Sequence, residues 1–115
     1  MTQVHVFTFN PFAENTYIVY DDSQECIVVD PGCYTPDERQ ALQAFIEQQR
    51  LTPVGLLNTH CHIDHVLGNK FCQDTFKVPL AIPKGELATL KAIPTYSSLY
   101  GFQNYEVFIR FLRLK

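Results

Sequence analysis

The first thirty residues show a pattern of hydrophobic and polar positions that predicts three β-strands. Residues 3–9 alternate in character and are rich in β-branched and aromatic side chains, and residues 16–20 repeat this composition after a turn signal at residues 10–12. Residues 26–29 are continuously apolar, which predicts a strand that is buried on both faces. The sequence Asp30-Pro31-Gly32 ends this third strand, because proline and glycine together stop a strand.

The pattern then changes to helical spacing. Thr35 or Asp37 can cap a helix that has Pro36 in its first turn and continues to about Arg50. Residues 54–57 form a short apolar run that is typical of a buried strand.

Three further elements complete the pattern. They are a helix from Val66 to about Thr75, a strand over residues 79–82 and a short helix over residues 84–92. The order β-β-β-α-β-α-β-α predicts a layered α/β fold in which helices pack against a sheet. A length of 115 residues is that of one domain.

Composition and charge narrow the classes of function. The net charge is −3 and no polybasic run is present, which argues against nucleic-acid binding. No apolar stretch approaches the length of about 20 residues that spans a bilayer, and the N-terminus lacks the pattern of a secretory signal. The four cysteines contain no CxxC spacing and are expected to be reduced thiols. These features predict a soluble cytoplasmic protein with no membrane partner.

The chemistry of the chain is concentrated directly after the strand at residues 54–57. His60 and His62 are two residues apart in an extended segment and therefore project to the same side, while Asp64 and His65 lie where the chain turns into the next helix. Imidazole and carboxylate are ligands for zinc, and also for iron or manganese. We expect His60 and His62 to serve one metal ion, and Asp64 and His65 a second. Such a pair lowers the pKa of a shared water, so metal-bound hydroxide would be the nucleophile.

Simpler interpretations of these residues exist. The cluster could be an exposed loop without function, but burying three histidines and an aspartate without a metal would leave several polar groups unpaired. Cys61 is a soft ligand type, yet its side chain should point away from the flanking histidines, which favours packing. Asp30 is either a turn residue or an acceptor that supports a ligand histidine from outside the coordination sphere, and the sequence leaves both interpretations open.

These residues resemble the metallo-β-lactamase superfamily, and within it the glyoxalase II-like hydrolases. The most specific motif is Thr59-His60-Cys61-His62-Ile63-Asp64-His65, and further matching segments occur in the family's order at residues 15–19, 28–32 and 64–69. The resemblance covers roughly residues 2 to 105. It implies an αββα sandwich of which this chain supplies the N-terminal half, with a metallo-β-lactamase-like domain part at residues 1–106.

The resemblance also implies functional roles. His60 and His62 would bind the first metal ion and Asp64 and His65 the second, with Asp64 as the candidate catalytic residue and Asp30 supporting the site. The implied cofactor is a pair of zinc ions. The implied reaction is hydrolysis of a thioester or related acyl bond in a small-molecule substrate such as a glutathione thioester, as in hydroxyacylglutathione hydrolase.

The chain departs from the family pattern beyond the motif. Family members supply further histidine and aspartate ligands later in the sequence, whereas here no histidine follows His65 and the only later aspartate is Asp74. Each metal would collect two protein ligands, fewer than the three of a typical catalytic zinc site. One sheet face and one edge would also be uncovered. The atypical tail at residues 107–115 suggests a truncated or frameshifted product, from which we expect little activity.

Two other functions fit the same residues. An iron-dependent sulfur dioxygenase shares the fold and uses a single iron ion. A non-catalytic half-domain would act only through association with another chain, including self-association through the uncovered sheet.

Overall fold

The computed structural model describes residues 1–100 and 112–114, which form a mixed sheet flanked by helices. The strands are β1 (Gln3–Phe9), β2 (Glu14–Tyr20), β3 (Glu25–Val29), β4 (Thr52–Leu57), β5 (Leu80–Ile82) and β6 (Leu112–Leu114). The α-helices are α1 (Pro36–Gln48), α2 (Ile63–Val66), α3 (Asn69–Phe76) and α4 (Leu87–Ala92), and short 3₁₀ turns occupy Lys84–Glu86, Ile93–Thr95 and Ser97–Tyr100. The predicted α/β class is confirmed.

The six strands lie in sequence order across the sheet. The pairs β1–β2 and β2–β3 are antiparallel, and the pairs from β3 to β6 are parallel. Val29 is in register with Leu57, so β3 and β4 end side by side. Because parallel strands present their carboxyl ends at one edge, the residues after β3 and after β4 meet there.

Helix α1 begins where its capping signals predict. The Thr35 side chain accepts a hydrogen bond from the Glu38 backbone N–H, and the Glu38 carboxylate accepts one from the Thr35 N–H. Such a capping box satisfies two backbone donors that a helix start otherwise leaves free. Leu42 and Ile46 then form the buried face of the helix.

The prediction of one helix from Val66 to about Thr75 is wrong in its extent. The segment forms two helices, and the break falls at Gly68. The Gly68 N–H donates to the Pro31 carbonyl at 2.7 Å, and a Cβ at position 68 would collide with Cys33 Sγ. The chain therefore leaves helical geometry where it packs against the loop that follows β3.

The prediction that β3 is buried on both faces is also wrong. Cys26 and Val28 are buried on the face that the helices cover, whereas Ile27 on the other face is 40% exposed. Ile27 aligns through β2 with Val4, which is 56% exposed, and Val6 on the same face is 49% exposed. We call Val4, Val6 and Ile27 the open sheet face. A continuous apolar run cannot reveal which face the helices leave uncovered.

The sequence also predicts that the chain has no membrane span and that its tail at residues 107–115 is atypical. In the part of the chain that the structure describes, no helix has both the length and the apolar character needed to cross a lipid bilayer. Most of the tail predicted to be atypical, residues 107–111 and 115, lies outside the described residues. Residues 112–114 pair with β5 as a parallel strand.

Candidate metal centre

Asp30 lies at the centre of the edge where β3 and β4 end. Its side chain is almost fully buried and its backbone has a left-handed conformation, with φ of 53°. The Asp30 N–H donates to the Leu57 carbonyl at 2.7 Å, and its carbonyl accepts a hydrogen bond from Thr16 Oγ1 at 2.7 Å. These bonds direct the carboxylate towards the segment that follows β4.

Thr59 links the Asp30 carboxylate to His60. Thr59 donates its backbone N–H to Asp30 Oδ1 at 2.7 Å and its hydroxyl to Oδ2 at 2.6 Å. Because the single hydroxyl proton is used by Asp30, Thr59 Oγ1 can only accept from His60 Nδ1, which lies 3.1 Å away. His60 therefore carries its proton on Nδ1, and the Nε2 lone pair is left free to bind a metal ion.

His65 lies on the other side of Asp30. Its Nδ1 is 3.1 Å from Asp30 Oδ2, and its Nε2 is 3.4 Å from Asp64 Oδ2. The His65 N–H donates to the His62 carbonyl at 3.0 Å as helix α2 begins. The first turn of α2 thus brings Asp64 and His65 towards the same point.

The four predicted ligands are neighbours, but of these only His60 and His65 share a compact group of possible ligand atoms, and the third member of that group is Asp30. The ring of His60 packs between two others, with centroid distances of 3.9 Å to His65 and 4.7 Å to His62. Asp30, His60 and His65 each offer a ligand atom, and these atoms lie within 4.8 Å of one another. Two imidazoles and one carboxylate are donors that suit zinc, iron or manganese, so these residues fit a metal ion, with His62 and Asp64 as neighbouring donors.

Cys61 faces away from this cluster. Its side chain is fully buried and Sγ lies 4.0 Å from Asn58 Oδ1, which agrees with the packing role that the sequence favours. Burial raises the pKa of the Cys61 thiol to about 12, and the nearby Glu86 carboxylate adds to the effect. Glu86 Oε1 also accepts the Cys61 N–H at 2.8 Å, and so holds the backbone between His60 and His62.

Asn10 is a supporting residue that the sequence did not indicate. Its Nδ2 donates to the Gly32 carbonyl at 3.0 Å and to the Asp64 carbonyl at 2.9 Å. Asn10 adopts a positive φ of 58°, which asparagine tolerates better than most residues. The sequence marks a turn here, but it carries no signal for partners 22 and 54 residues away.

Glu14 is another supporting residue that the sequence did not indicate, and it is buried beside His65. Its Oε1 lies 3.5 Å from His65 Nδ1, and its Oε2 lies 2.9 Å from Thr16 Oγ1. The pKa of Glu14 is raised to about 8, chiefly by burial and also by the charges of Asp30 and Asp64, while the Thr16 hydrogen bond opposes the shift. The carboxyl is therefore mostly protonated at neutral pH in the metal-free protein.

Two cavities open beside Asp64. One has a volume of about 460 Å³ and is lined by Phe12, His62, Ile63, Asp64 and Tyr96. The other has a volume of about 480 Å³, and its lining includes Glu14, Asp30, Thr59, Asp64 and His65. Both cavities give a small molecule space beside the cluster.

Comparison with known proteins assigns the fold to a family. The profile of the metallo-beta-lactamase superfamily matches residues 9–109. Among curated relatives, a hydroxyacylglutathione hydrolase of Nitrosomonas europaea is 30% identical over 72% of this chain, and a probable metallo-hydrolase of Bacillus subtilis, YqgX, is 29% identical over 66%. The matched segments span 30% and 34% of those proteins.

Two solved structures have a similar fold. The B3 metallo-beta-lactamase BLEG-1 is 28% identical, with a TM-score of 0.74 over 93% of this chain and 48% of its own. TTHA1623, solved in a di-iron-bound form, has a TM-score of 0.76 at 24% identity, over 96% of this chain and 54% of its own. The sequence-based assignment is confirmed: the chain belongs to the metallo-beta-lactamase superfamily.

Proposed function

We propose that this chain carries the metal-binding half of a hydrolase that cleaves thioester or related acyl bonds. The observation that carries the proposal is the meeting of His60, Asp64 and His65 with buried Asp30 at one edge of the sheet. His60 and His62 would hold one metal ion, and Asp64 and His65 a second. Asp30 would support both sets through Thr59 and His65.

The residues of this chain prepare the ligands for metal binding. Thr59 keeps the His60 proton on Nδ1, so Nε2 keeps a lone pair that a metal ion can bind. Asn10 fixes the backbone of Asp64, which directs the catalytic candidate towards His65. Bound metal ions would polarise the scissile carbonyl and lower the pKa of an attacking water. Zinc is the expected metal, and iron or manganese suits the same donors.

The thioester class is supported by the hydroxyacylglutathione hydrolases among the relatives, such as those of Nitrosomonas europaea and Nitrosomonas eutropha, at 30% and 32% identity. The cavity lined by Phe12, His62 and Tyr96 could receive a small-molecule substrate such as a glutathione thioester. Since this chain contributes no histidine after His65, we expect the two metal ions to be weakly held and hydrolysis by the 115-residue chain to be slow.

The test combines metal content with turnover. The 115-residue chain is loaded with zinc, and hydrolysis of a glutathione thioester is measured beside His60→Ala and Asp64→Asn. Both variants should lose bound zinc and any turnover above the metal-free rate. His5→Phe is the matched control, because His5 stacks on Phe45 at 4.0 Å and meets Phe7 edge-on at 4.7 Å, and a phenyl ring preserves both contacts. Zinc retention by both site variants would refute the proposal.

The alternative functions give different results in the same experiment. Tight binding of a single ferrous ion, with oxygen uptake on a glutathione persulfide, would indicate the dioxygenase instead. A stable oligomer that binds no metal would indicate the non-catalytic half-domain, and its contact would be expected at the open sheet face.

A further inference from the structure

We propose that Glu14 is a positioning residue for His65, an inference that rests on the proposed role of His65 as a metal ligand. The Glu14 side chain is fully buried, with a relative exposure of 0%. Within residues 1–100 and 112–114, its Oε1 has no hydrogen-bond partner, and it lies 3.5 Å from His65 Nδ1. A buried oxygen without a partner is unfavourable unless a donor turns towards it.

Asp30 alone does not orient the Nδ1 proton of His65. Both of its carboxylate oxygens already accept hydrogen bonds from Thr59. Asp30 Oδ2 lies 3.1 Å from His65 Nδ1, yet that nitrogen has no well-aligned hydrogen bond to any residue that the structure describes. Glu14 and Asp30 together therefore face Nδ1 with two oxygens. A proton on Nδ1 is stabilised by the two oxygens together, and the Nε2 lone pair then lies on the side of Asp64, whose Oδ2 is 3.4 Å away.

The position of Glu14 is fixed by its neighbours. Its Oε2 lies 2.9 Å from Thr16 Oγ1, which also lies 2.7 Å from the Asp30 carbonyl and accepts the Gly32 N–H at 3.0 Å. A side chain at position 32 would collide with Glu14 Oε2. Glycine at 32 thus makes room for the carboxyl. Because Thr16 faces Oε2, Oε1 can accept the His65 proton whichever charge state the carboxyl has.

The consequence is a preference between the two tautomers of His65. A neutral imidazole carries its proton on Nδ1 or on Nε2, and only the Nδ1–H form presents Nε2 to a metal ion. Glu14 and Asp30 favour the Nδ1–H form before any metal arrives. Loss of an orienting partner of a metal-bound histidine typically weakens metal affinity about tenfold to a hundredfold.

The experiment reads the tautomer directly. In the metal-free 115-residue chain, ¹⁵N NMR of the imidazole rings is recorded for the wild type and for Glu14→Met and Glu14→Gln, with the His65 signals assigned by their loss in His65→Gln. We expect Nδ1–H in the wild type, a shift towards Nε2–H in Glu14→Met, and recovery in Glu14→Gln, whose amide oxygen can accept. Glu25→Leu, which removes an exposed carboxylate on β3, should behave as the wild type.

Zinc titration of the same variants gives a second readout. We expect Glu14→Met to bind zinc at least tenfold more weakly than the wild type, and Glu14→Gln to recover most of that loss. A wild-type His65 in the Nε2–H form would overturn the proposal even if Glu14→Met failed to fold, and so would an unchanged tautomer in folded Glu14→Met. Absence of zinc binding by the wild type would instead refute the proposed function, because the tautomer is measured without metal.

Discussion

Asp30 accepts two hydrogen bonds from one residue, Thr59, at 2.7 Å from its backbone N–H and at 2.6 Å from its hydroxyl. This pairing joins the end of β3 to the end of β4 and sets the direction of the His60 ring through Thr59 Oγ1. A residue that follows β3 thereby orients a candidate metal ligand that follows β4.

Thr59→Val should weaken metal binding, although residue 59 is not a proposed metal ligand. The substitution keeps the shape of the side chain but removes the hydroxyl, so the His60 proton loses its acceptor and Asp30 loses a charge-assisted hydrogen bond. We expect a loss of about 1–3 kcal/mol in the free energy of unfolding of the metal-free protein, measured in urea, together with weaker zinc binding. Thr59→Ser should restore both properties, and equal values for valine and threonine would contradict this role.

Asn10→Ala should destabilise the loops around Asp64. It removes the bonds to the Gly32 and Asp64 carbonyls and places a Cβ-bearing residue at positive φ without the local compensation that asparagine provides. The free energy of unfolding should fall by about 2–3 kcal/mol. Asn10→Gly keeps the positive φ without strain, so it isolates the hydrogen bonds. If the glycine variant matched the wild type in urea, the bonds to Gly32 and Asp64 would have no part in stability.

The four cysteines should be unreactive in the native protein. All four are buried and unpaired in the structure, and burial raises the pKa of Cys26 to about 11 and that of Cys61 to about 12. A thiol reagent such as Ellman's reagent attacks thiolates, so the native chain should react far more slowly than the chain in denaturant, which should titrate four thiols. Fewer than four thiols in denaturant without reductant would reveal a disulfide.

Glu14 should make the metal-free protein less stable as the pH rises. Its pKa is raised from 4.5 to about 8 on folding, chiefly by burial, so the folded state binds more protons than the unfolded state between these values. Stability from this group is full below pH 4.5 and is lost as the pH rises to about 8, with a slope of at most about 1.4 kcal/mol per pH unit.

The measurement is urea unfolding from pH 6 to pH 8 in the presence of a chelator. Glu14→Gln should flatten the curve and be more stable than the wild type at pH 8, because the amide has no charge to bury. Parallel pH curves for the two proteins would show that Glu14 does not titrate in this range.

The sequence predicts the secondary-structure elements of the fold better than the contacts between them. Local signals were sufficient for β1, for α1 with its Thr35 cap and for the position of the histidine motif after β4. They could not show that Gly68 breaks a helix, because the cause is a contact with Pro31, which is distant in the sequence. Burial of Ile27 was mispredicted because an apolar run does not record which face the helices cover.

The candidate site also contains some residues that the sequence reveals and others that it does not. His60, His62, Asp64 and His65 lie within six positions and can be recognised by their spacing. Asn10 and Glu14 act on this motif across 50 or more residues, and nothing near them in the sequence indicates a partner. Supporting residues of this kind are defined by the tertiary structure.

A zinc titration of the 115-residue chain, followed by ¹⁵N NMR of its histidine rings, tests most directly whether the motif histidines bind metal. All four histidines are observed in one experiment, and His5, stacked on Phe45 away from the motif, is the internal reference. We expect saturable shifts at Nε2 of His60 and His65 and a change at His62, with His5 unchanged. Zinc that left the three motif histidines unshifted, or shifted His5 equally, would contradict this expectation.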